Sequence, residues 1–470
     1  MSFKFYCCLF LQLYMLISAY DFDDKKKKQL ENLINKEIKL AKMHTLGIVI
    51  TSKNETLYQN IFGESDSATT KTPFIIGSVS KSFTALATLK LNIPLDNTLD
   101  KYNLDDYIDK DLAKDITVGE LLNHTSGLDS FSPKRIVPRG NWSYSNYGFG
   151  LLGKIIEKES NQSYADYMEE NIFKFLKMNN TRAKYDDSII DNYDNFLGAR
   201  CQYGSLKKEM EQKEGLYIPA GFISTSVEDM GNYLRFYLNE SNTYVPEMTV
   251  CNVEISYNKF YGLGLFITNR SDQIVYDHAG ATTSFLSHLF VYPELDLGIF
   301  MVTNTGENLF SQSCAQFFND VSDFLVYGLY NGVDGSLSFC AHFTFDIIFF
   351  IFIGIPITYL VITIVRKLKR KKYTWFENIK GKIIFGVDVF VLCILPIIIL
   401  ILCYGVDGNV TYACTYVRDF LFVIITICVA LWLNFIIKIV YIILYKKCHW
   451  EKIEISNKLE PLTKSTDFDP

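Results

Sequence analysis

Gly77-Ser78-Val79-Ser80-Lys81-Ser82 leads into a run, Lys81 to Leu91, that reads as a helix. Ser78 and Lys81 stand in an S-x-x-K spacing, and side chains three apart share one helix face. The Lys81 amine is therefore expected within reach of the Ser78 hydroxyl. A serine hydroxyl is a weak nucleophile until a neighbouring base takes its proton. The start of a helix also stabilises negative charge that develops beside it. The spacing alone is unspecific, because a serine N-cap followed by a solvated lysine gives the same pattern.

Outward from this stretch come four further phrases. Ile116-Thr117-Val118-Gly119-Glu120-Leu121-Leu122-Asn123-His124-Thr125-Ser126-Gly127-Leu128 is followed by Tyr144-Ser145-Asn146-Tyr147. Pro219-Ala220-Gly221-Phe222-Ile223-Ser224-Thr225, Tyr261-Gly262-Leu263-Gly264 and His278-Ala279-Gly280 come later. Each triplet says little: Tyr144 is one of 30 tyrosines, and a lone His278 would read as an ordinary surface histidine. Their order and flanking residues say more. Together they resemble the serine β-lactamase and penicillin-binding-protein superfamily, in its class-C-like, β-lactamase-related branch, over roughly Leu46 to Asn304.

The resemblance implies an α+β, β-lactamase/DD-peptidase-like fold and an acyl-enzyme mechanism. Ser78 matches the acylated nucleophile and Lys81 its hydrogen-bonded partner. Tyr144 matches a general base whose pKa Lys81 lowers, and Asn146 a residue that bonds the acyl side chain. His278 and Gly280 belong to the edge-strand triplet. The backbone N–H groups of Ser78 and Ala281 match the oxyanion hole, a device worth several kcal/mol at a transition state. His278 stands where many relatives carry lysine, which puts carboxylate recognition in doubt and allows a neutral or partly charged imidazole there. His124 reads as a packed structural histidine rather than a second base.

The coarse pattern fits that fold. Leu30, Leu33, Ile34, Ile38 and Ala41 recur at helical spacing and predict an amphipathic helix over Lys25 to Met43. Leu46 to Thr51 and Thr56 to Phe62 read as a hairpin across Lys53-Asn54, and Phe285 to Tyr292 and Leu297 to Thr303 as another around Pro293-Glu294. Ile116 to Leu122, Tyr147 to Glu159 and Tyr164 to Leu176 read as helices between them. Strands from both chain ends with helices in the middle predict an antiparallel sheet flanked by helices, with a helical subdomain.

Both ends of the chain carry membrane signals. Lys4 precedes an apolar run from Phe5 to Ile17 that closes on Ser18-Ala19, so residues 1–19 read as a secretory signal peptide. Residues 347–365, 383–404 and 420–444 are long and apolar enough for three transmembrane helices within 341–445. Arg366, Lys367, Lys369, Arg370, Lys371, Lys372, Lys380 and Lys382 follow the first span, and Lys446 and Lys447 the third. The positive-inside rule puts both flanks and the tail, 446–470, in the cytoplasm. Residues 20–340 then form an extracytoplasmic domain of a multi-pass protein of the secretory pathway or cell surface. Asp388 and Lys438 sit in or near the hydrocarbon, as functional candidates or, for Lys438, a snorkelling side chain.

Glycosylation sequons at Asn54, Asn141, Asn161, Asn179, Asn239, Asn269 and Asn409 suit that placement, while the one at Asn123 reads as unused. Cys201, Cys251, Cys314, Cys340 and Cys414 would meet an oxidising compartment, and their pairing is open. Composition removes other classes. Net charge is -6, which gives no basic field for nucleic acid. Hydrophobic residues make up 49% and mean hydropathy is +0.10, against a disordered chain. No C-x-x-C pair, H-E-x-x-H, phosphate loop or G-x-S-x-G elbow occurs.

These readings converge on a membrane-anchored serine hydrolase acting on an ester, amide, lactone or β-lactam carbonyl of a small-molecule or peptide-like substrate. No metal or organic cofactor is implied, and oligomeric state is open. The rival is a catalytically silent ectodomain that serves as a ligand-binding or receptor module.

Overall fold

Helix α1 (Asp24–Leu40) turns Leu30, Leu33, Ile34 and Ile38 inward, the stripe that helical periodicity requires. The computed structural model describes residues 20, 22–40, 43–63, 68–183, 198–202, 205–209, 215–306 and 313–330, with isolated helical positions between 429 and 440. The chain divides into the units Met1–His342 and Phe343–Pro470, and the sheet and its flanking helices belong to the first.

Strands β1 (Thr45–Thr51) and β2 (Thr56–Gly63) form the expected hairpin, closed by Ser52 N–H donating to Glu55 O at 3.0 Å. The helices α2 (Ser80–Lys90), α3 (Val118–Leu122), α4 (Asn146–Ser160) and α5 (Val227–Leu238) come next. The chain then lays down β3 (Val253–Ser256), β4 (Lys259–Tyr261), β5 (Phe266–Arg270), β6 (Gln273–Ala281), β7 (Leu286–Tyr292) and β8 (Leu297–Thr303), and ends in α6 (Ser313–Tyr327). The eight strands make one antiparallel sheet in the order β2-β1-β8-β7-β6-β5-β4-β3. The N-terminal hairpin joins the last strand directly, with Leu46 opposite Thr303 and Thr51 opposite Gly298. A sheet built from both chain ends is thus the observed architecture.

Alternation along β1 separates the two layers. Leu46, Ile48 and Ile50 pack with Leu30 and Ile34 of α1 and with Phe317, Val321 and Leu325 of α6. Val49, with Phe300 and Val302 of β8, joins the opposite core, which holds α5 and the helical subdomain. Helix α5 comes close because Gly47 and Gly298 lack side chains. A Cβ at Gly47 would lie 2.7 Å from Val227, and one at Gly298 2.9 Å from Leu234.

Two expectations change in detail. The run Tyr164 to Leu176 is not one regular helix, for a short α-turn, Tyr164–Tyr167, widens into a π-type turn over Met168–Phe173. Strands β3 to β5 were not legible as strands, and β6, expected at an edge, is paired on both sides, by β5 and β7. The first three are short, and β6 carries Asp277 and His278 with Gly280 next to its end. Helix α3 shows its start in the sequence: Thr117 and Glu120 form a capping box.

The expected signal peptide, the three spans, the cytoplasmic tail, Asp388, Asn409, Lys438, Cys340 and Cys414 lie outside the described residues. Only Val429, Trp432, Leu433, Ile436, Ile439 and Val440 of the third span are described, as helix. Among the described residues no helix is long and apolar enough to cross a membrane. Asn54, Asn141, Asn161, Asn179, Asn239 and Asn269 are exposed. Asn123 is half-buried, and its Oδ1 accepts from the Thr125 hydroxyl at 2.6 Å. Cys251 is exposed and Cys314 buried.

Candidate active site

Ser78 sits in a single 3-10 turn, Gly77–Val79, that feeds α2. Gly77 has φ +51°, and a Cβ there would lie 2.4 Å from the Ala281 nitrogen. A Cβ on Gly280 would lie 2.0 Å from Ile76 O. Both glycines are thus needed for the serine turn to rest against the end of β6. Ser287 Oγ donates to Ile76 O at 2.8 Å and fixes that contact from the neighbouring strand. Helix α2 is buried from Ser80 to Leu89, so its polar side chains need partners. Ser82 Oγ donates to Val79 O at 2.8 Å, Thr84 Oγ1 to Pro219 O at 2.7 Å, and Ile223 N–H donates to Ser80 Oγ at 3.1 Å.

The Lys81 amine is fully buried and has three neighbours: Asn146 Oδ1 at 2.6 Å, Ala220 O at 2.7 Å and Ser78 Oγ at 3.0 Å. The first two are carbonyl oxygens and can only accept. They take two N–H bonds, which leaves the third direction of the nitrogen facing Ser78. Burial lowers the Lys81 pKa well below 10.5 and so favours the neutral amine. In that form the third direction is a lone pair aimed at the serine hydroxyl.

Tyr144 arrives from the other side. Ser145 N-caps α4, its hydroxyl accepting from Gly148 N–H at 3.0 Å, so Tyr144 is held just ahead of a helix start. The Tyr144 side chain interacts with that of Ser78, and Lys81 Nζ lies 4.7 Å from the centre of the phenol ring. The expected lowering of the Tyr144 pKa is not what its surroundings produce. Burial raises it, and the interaction with Ser78 only partly opposes that. The phenol is neutral. Asn146 is oriented at both ends, with Oδ1 on Lys81 and Nδ2 donating to Ser130 Oγ at 3.0 Å.

His278 is 2% exposed, its ring centre 6.3 Å from that of Tyr144. Its Nδ1 is 2.7 Å from Ala279 O, so Nδ1 carries the proton and Nε2 accepts from the Tyr261 hydroxyl at 3.3 Å. Burial takes its pKa down to about 3. A partly charged imidazole near pH 7 is therefore not what the strand provides; the ring is neutral there.

Ser78, Lys81 and Asn146 thus meet in one hydrogen-bonded cluster with Tyr144 beside it, and Gly280 and Ala281 lie against the serine turn. Three participants were not singled out in the sequence: the Ala220 carbonyl, Ser130 and the Tyr261 hydroxyl. Ala220 and Tyr261 lie in phrases that stood out as motifs, but a backbone carbonyl leaves no side-chain signature. Ser130 carries no local signal at all.

The family model described as Beta-lactamase matches residues 30–316, more than half of the chain. The chain belongs to the beta-lactamase family. Among its relatives in the family is Protein flp of Staphylococcus aureus (strain MW2), 24% identical over 323 residues, with 59% of this chain and 63% of that protein covered. The chain therefore spans less than two thirds of that relative's length. Beta-lactamase-like protein 2 of Dictyostelium discoideum is 24% identical over 296 residues, covering 55% of this chain and 54% of that protein. The octameric penicillin-binding protein homologue from Pyrococcus abyssi superposes with a TM-score of 0.53 at 24% identity, over 59% of this chain and 73% of that one. That likeness concerns the beta-lactamase-family fold.

Proposed function

We propose that this beta-lactamase-family protein is a serine hydrolase that works through an acyl-enzyme on Ser78. The observation that carries the reading is the Lys81 amine held by two carbonyl oxygens, Asn146 Oδ1 and Ala220 O, with its third direction on Ser78 Oγ. Ser78 Oγ attacks the carbonyl carbon of an ester, amide, lactone or β-lactam while its proton passes to Lys81 Nζ. The N–H groups of Ser78 and Ala281 receive the oxyanion. Tyr144, a neutral phenol beside Ser78, passes its proton to the leaving group and draws another from the Lys81 ammonium. Water then attacks the acyl-enzyme by the same route in reverse, releasing the acid. Asn146 and Ser130 line the path of the acyl side chain.

The neutral His278 supports uncharged acyl substrates over ones that need a cation for a carboxylate. The apolar runs at 1–19, 347–365, 383–404 and 420–444 support a membrane-anchored, extracytoplasmic enzyme. The exposure of six sequon asparagines is compatible with glycosylation there. The test is to label the full-length protein in membranes with a fluorescent serine-reactive phosphonate and a fluorescent penicillin, with Ser78→Ala as control. Labelling lost in Ser78→Ala supports the reading, and equal labelling of both places the nucleophile elsewhere. A binding module without chemistry would label in neither.

A further inference from the structure

His124 holds the peptide on both sides of Tyr144. Ser143 N–H donates to His124 O at 2.8 Å, and Ser145 N–H donates to His124 Nδ1 at 3.1 Å. The imidazole is fully buried and packs, tilted, against Tyr144 at 4.3 Å between ring centres, with Tyr261 at 4.8 Å and Phe149 at 5.2 Å. Because Nδ1 accepts, the proton of the neutral ring is on Nε2. That Nε2 atom is buried with no hydrogen-bond partner, so the ring has no second polar contact that would explain a histidine here. The backbone adds a constraint. His124 has φ +62°, a left-handed conformation that asparagine and histidine tolerate better than other side chains.

We infer that His124 is a positioning residue for the hydrolytic centre: through Nδ1 and its own carbonyl it fixes where the Tyr144 hydroxyl meets Ser78 and Lys81. This inference rests on the serine-hydrolase reading of Ser78. A side chain that only filled space would need the ring and not the acceptor. A side chain that set Tyr144 would need the acceptor on Ser145 N–H. The two requirements separate in two variants. His124→Phe keeps the ring and deletes Nδ1. His124→Asn deletes the ring but keeps an oxygen close to the place of Nδ1, and asparagine accepts a positive φ.

The experiment uses full-length protein in detergent or membranes. It reads the rate of Ser78 acylation by a fluorescent phosphonate, kcat and KM on a p-nitrophenyl ester, thermal midpoint, and hydrogen exchange over residues 143–146. For a positioning role, His124→Phe loses roughly 10- to 100-fold in acylation rate and kcat, the scale of a misplaced catalytic group, with KM nearly unchanged. His124→Asn recovers most of that rate although its melting temperature falls further, because it loses the ring's packing. Exchange over 143–146 is slow in wild type and His124→Asn, and faster in His124→Phe. The inference is overturned if His124→Phe acylates like wild type while His124→Asn does not, since packing alone would then be the role. If wild type itself forms no Ser78 adduct, the hydrolase reading falls. Exchange then decides alone, and equal protection in all three proteins overturns the clamp.

Discussion

Lys81 Nζ lies 2.6 Å from Asn146 Oδ1, an atom that accepts hydrogen bonds and carries no charge. A carboxylate at that position would hold the lysine as an ammonium, whereas an amide leaves burial to decide, and burial lowers the amine's pKa well below 10.5. The identity of residue 146 therefore sets whether Lys81 can accept the Ser78 proton.

Asn146→Asp tests this. The added carboxylate raises the Lys81 pKa, so the acid limb of the kcat/KM profile moves to higher pH and activity near neutrality falls by about 10²–10⁴, the scale of general-base loss. An unmoved acid limb would show that Lys81 is not the titrating base.

Tyr144→Phe keeps the ring against His124 and Lys81 but deletes the hydroxyl beside Ser78. Acylation should slow by about 10²-fold or more with little change in melting temperature, and Lys81→Ala should be more damaging. The double variant should lose far less than the product of the two, because the groups act as a unit. The phenol's pKa is raised by burial, so the basic limb should stay where it is in Tyr144→Phe. An acid limb that disappears with the hydroxyl would make Tyr144 the base after all.

Acid should destabilise the domain through its neutral histidines. Burial holds His278 at about 3, far below its ordinary 6.5. Below pH 6.5 the unfolded chain takes up a proton there and the folded chain does not, so stability falls as pH drops from 6.5 toward 3. By pH 5 that loss amounts to about 2 kcal/mol for this one imidazole. Denaturant midpoints at pH 7.5 and pH 5 should show it, and His278→Gln should have a shallower slope. Equal slopes in the two proteins would refute the assignment.

Asp320 on α6 has the opposite sign. It is 6% exposed, its Oδ2 has no partner, and burial raises its pKa, with Asp323 and Glu37 adding to the rise. A raised carboxyl pKa gives stability that is complete below the unfolded value and is lost as pH climbs through the folded one. Asp320→Asn should therefore raise the thermal midpoint at pH 7 and change it less at pH 4. A lower midpoint at pH 7 would mean that the carboxylate is bound by a group that stabilises it.

The proposed topology is read by a tag after Pro470. In intact cells that carry the protein at their surface, the tag should resist protease until the membrane is permeabilised. Digestion of the tag without permeabilisation would refute three spans with a cytoplasmic tail.

What the sequence by itself determined was local. An S-x-x-K spacing at a helix start brings Lys81 to Ser78 whatever lies around it, because three residues span one turn. The β-rich runs Leu46 to Thr51, Phe285 to Tyr292 and Leu297 to Thr303 disclosed the sheet's central strands, since strands buried on both faces leave short continuous apolar runs. The edge strand Val253–Ser256 alternates between half-buried and exposed over only four residues, too short a pattern to stand out. Only the tertiary structure decided the chemistry of the site. Lys81 is surrounded by Asn146, 65 residues away, and by the Ala220 carbonyl, 139 residues away. A backbone carbonyl has no letter of its own in the sequence. The state of His278 and the neutrality of Tyr144 likewise came from burial, a property of the assembled layers, because a pKa measures the surroundings of a group and the chain order does not contain them.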